Sequence, residues 1–340
     1  MAINVTAAYA VHESSQIAGP RRAAAELAGR FGFSEERAGK VALVVTELAT
    51  NLTKHATGGE MLFRRIRDTD GGTDLRGIEI LAVDRGPGLH DVTSAREDGY
   101  STACTLGHGL GTIERQSDFF QIYSQPSGTV VLARLWSEKP SVVARKPPFE
   151  IGAVLVSHPG EDICGDDWDW TMRDDRFAIL VADGLGHGFS AHEASAAAVE
   201  VFQRLADESP SHVITEVHAA LRPTRGAAVA MVEVDTGRGV ANYCGLGNIG
   251  AAILTPDGNR RGMISQNGTA GHVAARIHEF SYPVPPPSTI VMFSDGLVSH
   301  WSLAAYPGLG SRHPSVIAGV LYRDFSRRRD DVTIVVAKSR

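Results

Sequence analysis

Residues 44–56, VVTELATNLTKHA, place a carboxylate and an amide, Glu47 and Asn51, four positions apart. On a helix that spacing puts both side chains on one face. The helix is implied by its surroundings: Val41, Val44, Val45, Leu48 and Leu52 recur at i, i+3 and i+4 as one apolar stripe beside the pair. Ser34 is a candidate N-cap with Glu35 and Glu36 behind it, so this is predicted as the second of two helices between about Pro20 and Ala56. An Asn oxygen suits Mg2+, a hard ion held by few protein ligands, and a nearby Glu can orient or deprotonate a nucleophile. Taken alone, the pair reads more readily as a solvated helix face.

Working outward, strand-like segments follow at MLFRRI, GIEILAVD, FFQIYS and GTVVLARLW. After the second of them, DRGPGL sets Asp84 at a strand end, with Gly86 and Gly88 in a turn that lets backbone approach a ligand. A buried Asp there can read an adenine amino group. Then LGHGLGTIERQSDFF brings Gly107, His108, Gly109, Leu110 and Gly111 to the start of a predicted helix, where free N–H groups favour phosphate. One glycine-rich turn by itself is more often a plain helix start. Between them, residues 89–106 form a long polar stretch of the kind that serves as a lid.

The chain of 340 residues is long enough for two domains, and its 43% hydrophobic and 21% charged residues are those of an ordinary globular protein. SEKPSVVARKPPFE, with three prolines, reads as a linker, which gives domains at 1–139 and 149–340 around a linker at 140–148. The two sides of Pro140 carry net charges of −2 and −4, so neither looks built for nucleic acid or an anionic membrane. Cys104, Cys164 and Cys244 are scattered, without CxxC spacing, which fits a reducing cytosol better than a disulfide framework or a zinc site. With no leader pattern at the N-terminus and no long apolar run, a soluble, cytoplasmic protein is expected.

Beyond the linker, strands are predicted at IGAVLVSH, FAILVAD, AAVAMVEVD, GVANYCG, GAAILT, TIVMFSD and DVTIVVAK, and helices around AHEASAAAVEVFQRLA and HPSVIAGVLYRDF. Aspartates mark the strand ends: Asp166 in ICGDDWD, Asp183 before Gly184 in VADGLGHG, Asp295 in FSDGL, and Asp330 and Asp331 in RRRDDVT. Singly, each suits a turn. Together, if the strands share a core, they offer hard oxygens to two divalent ions that activate a water for in-line attack on phosphorus.

The ordered set TELATN, DRGPG and GHGLG, closed by GTVV with Thr129, resembles the GHKL (Bergerat-type) ATPase fold. Over about residues 11–136 it looks most like the RsbT type of serine/threonine kinase from bacterial partner-switching systems. The resemblance implies that Asn51 holds Mg2+, Glu47 acts on the attacking hydroxyl or water, Asp84 binds adenine, and the glycines hold the phosphates of ATP. The order GDDWD, VADGLGHG, FSDGL and RDDVT resembles the SpoIIE/RsbX branch of PPM serine/threonine phosphatases over about residues 149–338. It implies that Asp183, with Gly184 after it, bridges two Mn2+ or Mg2+ ions, Asp166 completes one site, and Asp295 with Asp330 the other, Asp331 being able to exchange with Asp330. His187 either donates a proton to a leaving group or fixes the turn.

The implied architecture is α+β with two domains, an N-terminal GHKL α/β sandwich and a C-terminal PPM α-β-β-α sandwich. The implied function is kinase and phosphatase on one chain, acting on a STAS-domain partner. Two alternatives remain: an N-terminal module that binds ATP and a regulator without transferring phosphate, and an RsbW-type anti-sigma factor that holds a sigma factor. The likeness between LGHGLG and DGLGHG is read as coincidence, since one follows a Glu–Asn helix and the other a strand-end Asp.

Overall fold

The computed structural model describes residues 7–56, 58–70, 73–89, 109–139, 147–274 and 276–340. Two compact units are present. One holds the described residues of 7–139 together with Gly308–Arg323, and the other holds Pro147–Pro307 and Asp324–Arg340.

The first unit runs β1 (Ala7–Ala10), α1 (Ala18–Arg30), α2 (Glu35–His55), β2 (Glu60–Asp70), β3 (Thr73–Val83), α3 (Gly109–Gln116), β4 (Phe119–Gln125) and β5 (Gly128–Trp136). Its strands form one antiparallel sheet in the order β1-β2-β3-β5-β4. Helix α2 starts where the sequence predicts, with the Ser34 hydroxyl accepting from the Arg37 amide at 3.3 Å, and Glu35 and Glu36 lie at its positive end. Its stripe, Val41, Val44, Val45, Leu48 and Leu52, is buried with Phe63, Ile80 and Ala133 of the sheet. Burying that stripe leaves Glu47 and Asn51, a quarter-turn away, half-buried at its edge.

The second unit is a sandwich of two five-stranded antiparallel sheets. Strands β6 (Phe149–Val156), β7 (Asp166–Arg173) and β8 (Arg176–Gly184) lead into α4 (Phe189–Leu205) and α5 (Pro210–Ala220). Then come β9 (Ala227–Asp235), β10 (Val240–Leu246), β11 (Gly250–Leu254), β12 (Arg260–Gly262), a short hairpin of β13 (Gly268–Thr269) and β14 (Val273–Ala274), β15 (Phe280–Pro283) and β16 (Thr289–Phe293). After α6 (Pro314–Phe325), the last strand is β17 (Val332–Ser339). The sheets are ordered β15-β10-β9-β8-β7 and β12-β11-β16-β17-β6. Their facing side chains, among them Leu155, Trp168, Ile179, Val232, Ile253 and Val335, form one buried core. Helices α4 and α5 cover the outer face of the first sheet through Ala194, Ala198, Phe202, Ile214 and Val217.

Beside the short strands β1 and β12 to β15, two elements that position the sites lie outside the sequence reading. Strand β7 reads DDWDWTMR, too rich in Asp for a strand by propensity, yet it pairs with β8 along its whole length. Helix α5 is short, and its signals are local: Ser209 caps the amide of His212, and Pro210 stands in the first turn.

Helix α6 departs from chain order. The sequence reading places it in 149–340, whereas most of it packs in the first unit, against the sheet face opposite α2. That face needs cover because its register sets Arg64 opposite Glu79 and Glu79 opposite Arg134. Both arginines hold the buried Glu79 carboxylate, at 2.8 Å and 2.6 Å, and the Ser315 hydroxyl donates to it at 2.7 Å. The Gln121 side chain accepts from the His313 amide at 2.6 Å at the start of the helix. Burial raises the Glu79 pKa, but the two arginines and neighbouring His313 more than offset it and bring the value down to about 2.

Candidate active sites

In the first unit the structure gathers the residues singled out by the sequence into one corner. Glu47 and Asn51 project from α2 toward the first residue of α3. A Cβ on Gly109 would stand 3.1 Å from Asn51 Oδ1 and 3.6 Å from Glu47 Oε2, so the backbone there lies directly on the two polar groups. Leu110 packs against the core, and Gly111 is buried within α3. Gly107 and His108 lie outside the described residues.

Asp84 follows β3, and its Oδ1 accepts from the amides of Gly86 at 2.7 Å and Thr129 at 3.4 Å. Burial pushes its carboxyl above the ordinary range, and those two hydrogen bonds work against the rise. Gly88 has φ 74, and a Cβ on it would stand 2.1 Å from the Gln125 carbonyl oxygen, so only glycine fits this turn. Ser124 was not found from sequence: its hydroxyl takes the Leu89 amide at 2.8 Å and pairs with the Thr129 hydroxyl at 2.9 Å. It ties the turn after Asp84 to β4 and β5, and nothing in FFQIYSQ marks it.

In the second unit Asp166 and Asp183 are register partners on β7 and β8. Asp166 is 2% exposed, and neither of its carboxylate oxygens has a hydrogen-bond partner. Burial raises the pKa of both Asp166 and Asp183 well above the carboxylate range; Asp331 and Asp295 raise Asp166 further against the lowering effect of Ser294 and Thr333, and Asp166, Asp295 and Asp330 raise Asp183 further. Asp295 is raised by burial and by Asp330, and its Oδ2 accepts from Asn248 Nδ2 at 2.8 Å. Asp331 is buried, takes the His158 amide on Oδ1 at 2.8 Å, and keeps a buried, unpartnered Oδ2. Its amide in turn donates to Asp330 Oδ1 at 3.0 Å.

Among the described residues no three His, Cys, Asp or Glu side chains close into a ready cage. The donor set nevertheless fits divalent cations: three buried carboxylate oxygens lack any partner, and attraction to positive charge would outweigh the mutual repulsion of these groups. Gly184 joins the strand end to α4 closely enough that a Cβ would stand 2.0 Å from the Ala191 carbonyl oxygen. His187 is fixed beside this centre, its Nδ1 hydrogen-bonded to Glu161 at 2.7 Å and its ring stacked on His158 at 4.4 Å. Neither Glu161 nor His158 carries a signal in the sequence.

Residues 11–135 match the family described as histidine kinase-like ATPase domain, and residues 173–340 match stage II sporulation protein E (SpoIIE). The serine/threonine-protein kinase RsbT of Bacillus subtilis (strain 168) is 31% identical over 121 residues, covering 35% of this chain and 88% of that protein. The phosphoserine phosphatase RsbX of the same organism is 30% identical over 103 residues, 30% of this chain and 52% of that protein. A crystal structure of RsbX in complex with magnesium superposes with a TM-score of 0.50 at 22% identity, over 58% of this chain and 98% of that one. The chain belongs to the RsbT family through its N-terminal ATPase domain, and behind that domain residues 173–340 match the SpoIIE model.

Proposed function

We propose that this protein is a bifunctional partner-switching regulator. Residues 1–139 phosphorylate a serine or threonine of a STAS-domain protein with ATP, residues 149–340 remove that phosphate, and 140–148 link the two. The observation that carries this reading is the presence in one chain of two polar centres of opposite design, Glu47–Asn51–Gly109 and the unpartnered Asp166 with Asp183. RsbT and RsbX bear the names of a kinase and a phosphatase, and each is similar to a different part of this chain.

In the kinase direction Glu47 accepts the proton of the partner hydroxyl as its oxygen attacks the γ-phosphorus and ADP departs. Asn51 Oδ1 would hold Mg2+, which would offset charge on the phosphates when bound. The Asp84 carboxylate accepts from the adenine amino group, and the backbone of Gly109–Gly111 faces the phosphates at the start of α3. In the phosphatase direction two Mn2+ or Mg2+ ions on Asp166, Asp183, Asp295 and Asp330 would activate water and neutralise phosphate charge. Asp331 holds the strand before the centre in place through the His158 amide. A phosphate of charge about −1.5 to −2 is enough to make or break a protein interface, which is how such a pair of activities sets a switch. A downstream sigma factor or other regulator is the expected reader. The site of action is the cytoplasm, and no described helix is long and apolar enough to cross a membrane.

The test is transfer of labelled γ-phosphate to a STAS-domain protein by an Asp183→Asn variant, which cannot remove it. Label that vanishes with Glu47→Ala, and is released by wild-type protein with Mn2+, is the expected result. ATP binding without transfer would reduce the first domain to a binding module.

A further inference from the structure

A cavity of about 430 Å3 opens beside the acidic centre, between Glu161 and His187 on one side and Arg225 on the other, with Gly186 as its floor and Phe189 at its rim. It adjoins the metal-type carboxylates, since His187 stacks on His158, whose amide holds Asp331. Gly186 has φ 86, and a Cβ on it would stand 3.2 Å from Arg225 Nη1, so the guanidinium lies over bare backbone two residues past Gly184.

The Arg225 turn is held by its own backbone. Gly226 O accepts from the Leu185 amide at 3.0 Å, Arg225 O is hydrogen-bonded by His272 Nε2 at 2.9 Å, and the Gly226 amide donates to Thr224 Oγ1 at 3.0 Å. The side chain is left over. Among the described residues no carboxylate pairs with the Arg225 guanidinium, and the one carboxylate in the cavity, Glu161, is taken by His187. Two large apolar side chains at this cavity face solvent, Phe189 in its lining at the start of α4 at 63% exposure and Leu185, next to Gly186, at 45%. A turn held by its own backbone that presents a charge without a partner among the described residues, next to exposed apolar groups, is poorly explained by stability of the unit alone.

We infer that Arg225 is a substrate-binding residue of the phosphatase, which takes the phosphate of a phosphorylated protein segment as it lies across Gly186, while Leu185 and Phe189 seat an apolar side chain next to it. Charge complementarity selects this occupant: a guanidinium fork matches phosphate oxygens in a bidentate way, and the segment continues directly into the acidic centre where phosphate is released. The inference rests on the phosphatase reading of that centre.

The experiment uses the full chain with Mn2+, p-nitrophenyl phosphate, and a phosphothreonine peptide with leucine beside the phosphorylated residue. Arg225→Ala should raise KM for the peptide about tenfold or more with kcat within about twofold, and Arg225→Lys should recover part of the loss. Phe189→Ala should raise KM for the peptide by a larger factor than KM for p-nitrophenyl phosphate. In an Asp183→Asn background, Arg225→Ala should weaken binding of the fluorescent phosphopeptide about tenfold, without changing that of its unphosphorylated form. An unchanged KM and Kd in Arg225→Ala, or a fall in kcat alone with both substrates, overturns the assignment. Wild-type protein that hydrolyses neither substrate overturns the phosphatase reading and this inference with it, whereas active wild type with indifferent Arg225 variants overturns this inference alone.

Discussion

The Asp84 corner and the Asp166–Asp183 centre are both polar, glycine-lined and set at strand ends, yet one is satisfied and the other is frustrated. Asp84 has its Oδ1 filled by two amides, and Ser124 and Thr129 complete a closed hydrogen-bond corner. Asp166 has two buried oxygens without a partner and a second carboxylate opposite it in register. The first arrangement already holds its carboxylate on neutral donors, whereas the second lowers its energy only by taking up cations or protons. What a site lacks, more than what lines it, shows the charge of its ligand.

The comparison can be broken most sharply at Asp183. Asp183→Asn should lower phosphatase activity by about a thousandfold or more, yet the metal-free variant should unfold at a temperature no lower than wild type, because one of two repelling carboxylates has gone. Calorimetry with and without Mn2+ checks this: wild type should gain stability on adding metal, and the variant should gain less. At the other site Glu47→Ala should cut phosphate transfer roughly a hundredfold or more while ATP binding persists, as equilibrium binding of a fluorescent nucleotide would report.

The sheet behind the Asp84 corner supplies a third test, because its buried carboxylate is held by two guanidinium groups and a hydroxyl where Asp84 has two amides. Glu79 has its pKa lowered from 4.5 to about 2, so its contribution is complete above about pH 4.5 and lost as pH falls toward 2. The amount at stake is on the order of 3 kcal/mol, and hydrogen exchange of β2 and β3 in wild type and Glu79→Gln should show the acid-dependent part only in wild type. The smallest effect is expected at Ser34→Ala, about 1 kcal/mol of stability from the lost cap on α2. Thermal unfolding measures it, and any accompanying loss of nucleotide affinity would show how far the position of Glu47 and Asn51 depends on that helix start.

Much of each site was legible because it is local. Glu47 and Asn51 are one helical turn apart beside an unambiguous apolar stripe, and Gly86 and Gly88 directly follow the Asp84 they serve. Asp183 and Asp295 could be found for the same reason, each following an apolar run, and Asp330 and Asp331 because they stand directly before one. Ser124, Glu161, His158 and Arg225 could not, because each acts on a residue far away in sequence: Leu89, His187, Asp331 and the Gly186 turn. Strand β7 was hidden because its aspartates contradict strand propensity, which pairing with β8 overrides.

By itself, then, the sequence determined two domains, the helix that carries Glu47 and Asn51, and the types of chemistry open to the strand-end aspartates, because periodicity, caps and turns are properties of neighbouring residues. Only the tertiary structure decided that Arg64, Glu79 and Arg134 form a buried triad beneath Ser315. In sequence they are polar positions on three strands, and alternation cannot tell a solvated sheet face from a covered one. It decided as well that α6, written among the phosphatase strands, packs on the sheet of the ATPase unit, since a face that buries a carboxylate between two guanidinium groups must be closed against water by whichever element can supply the remaining hydrogen bond.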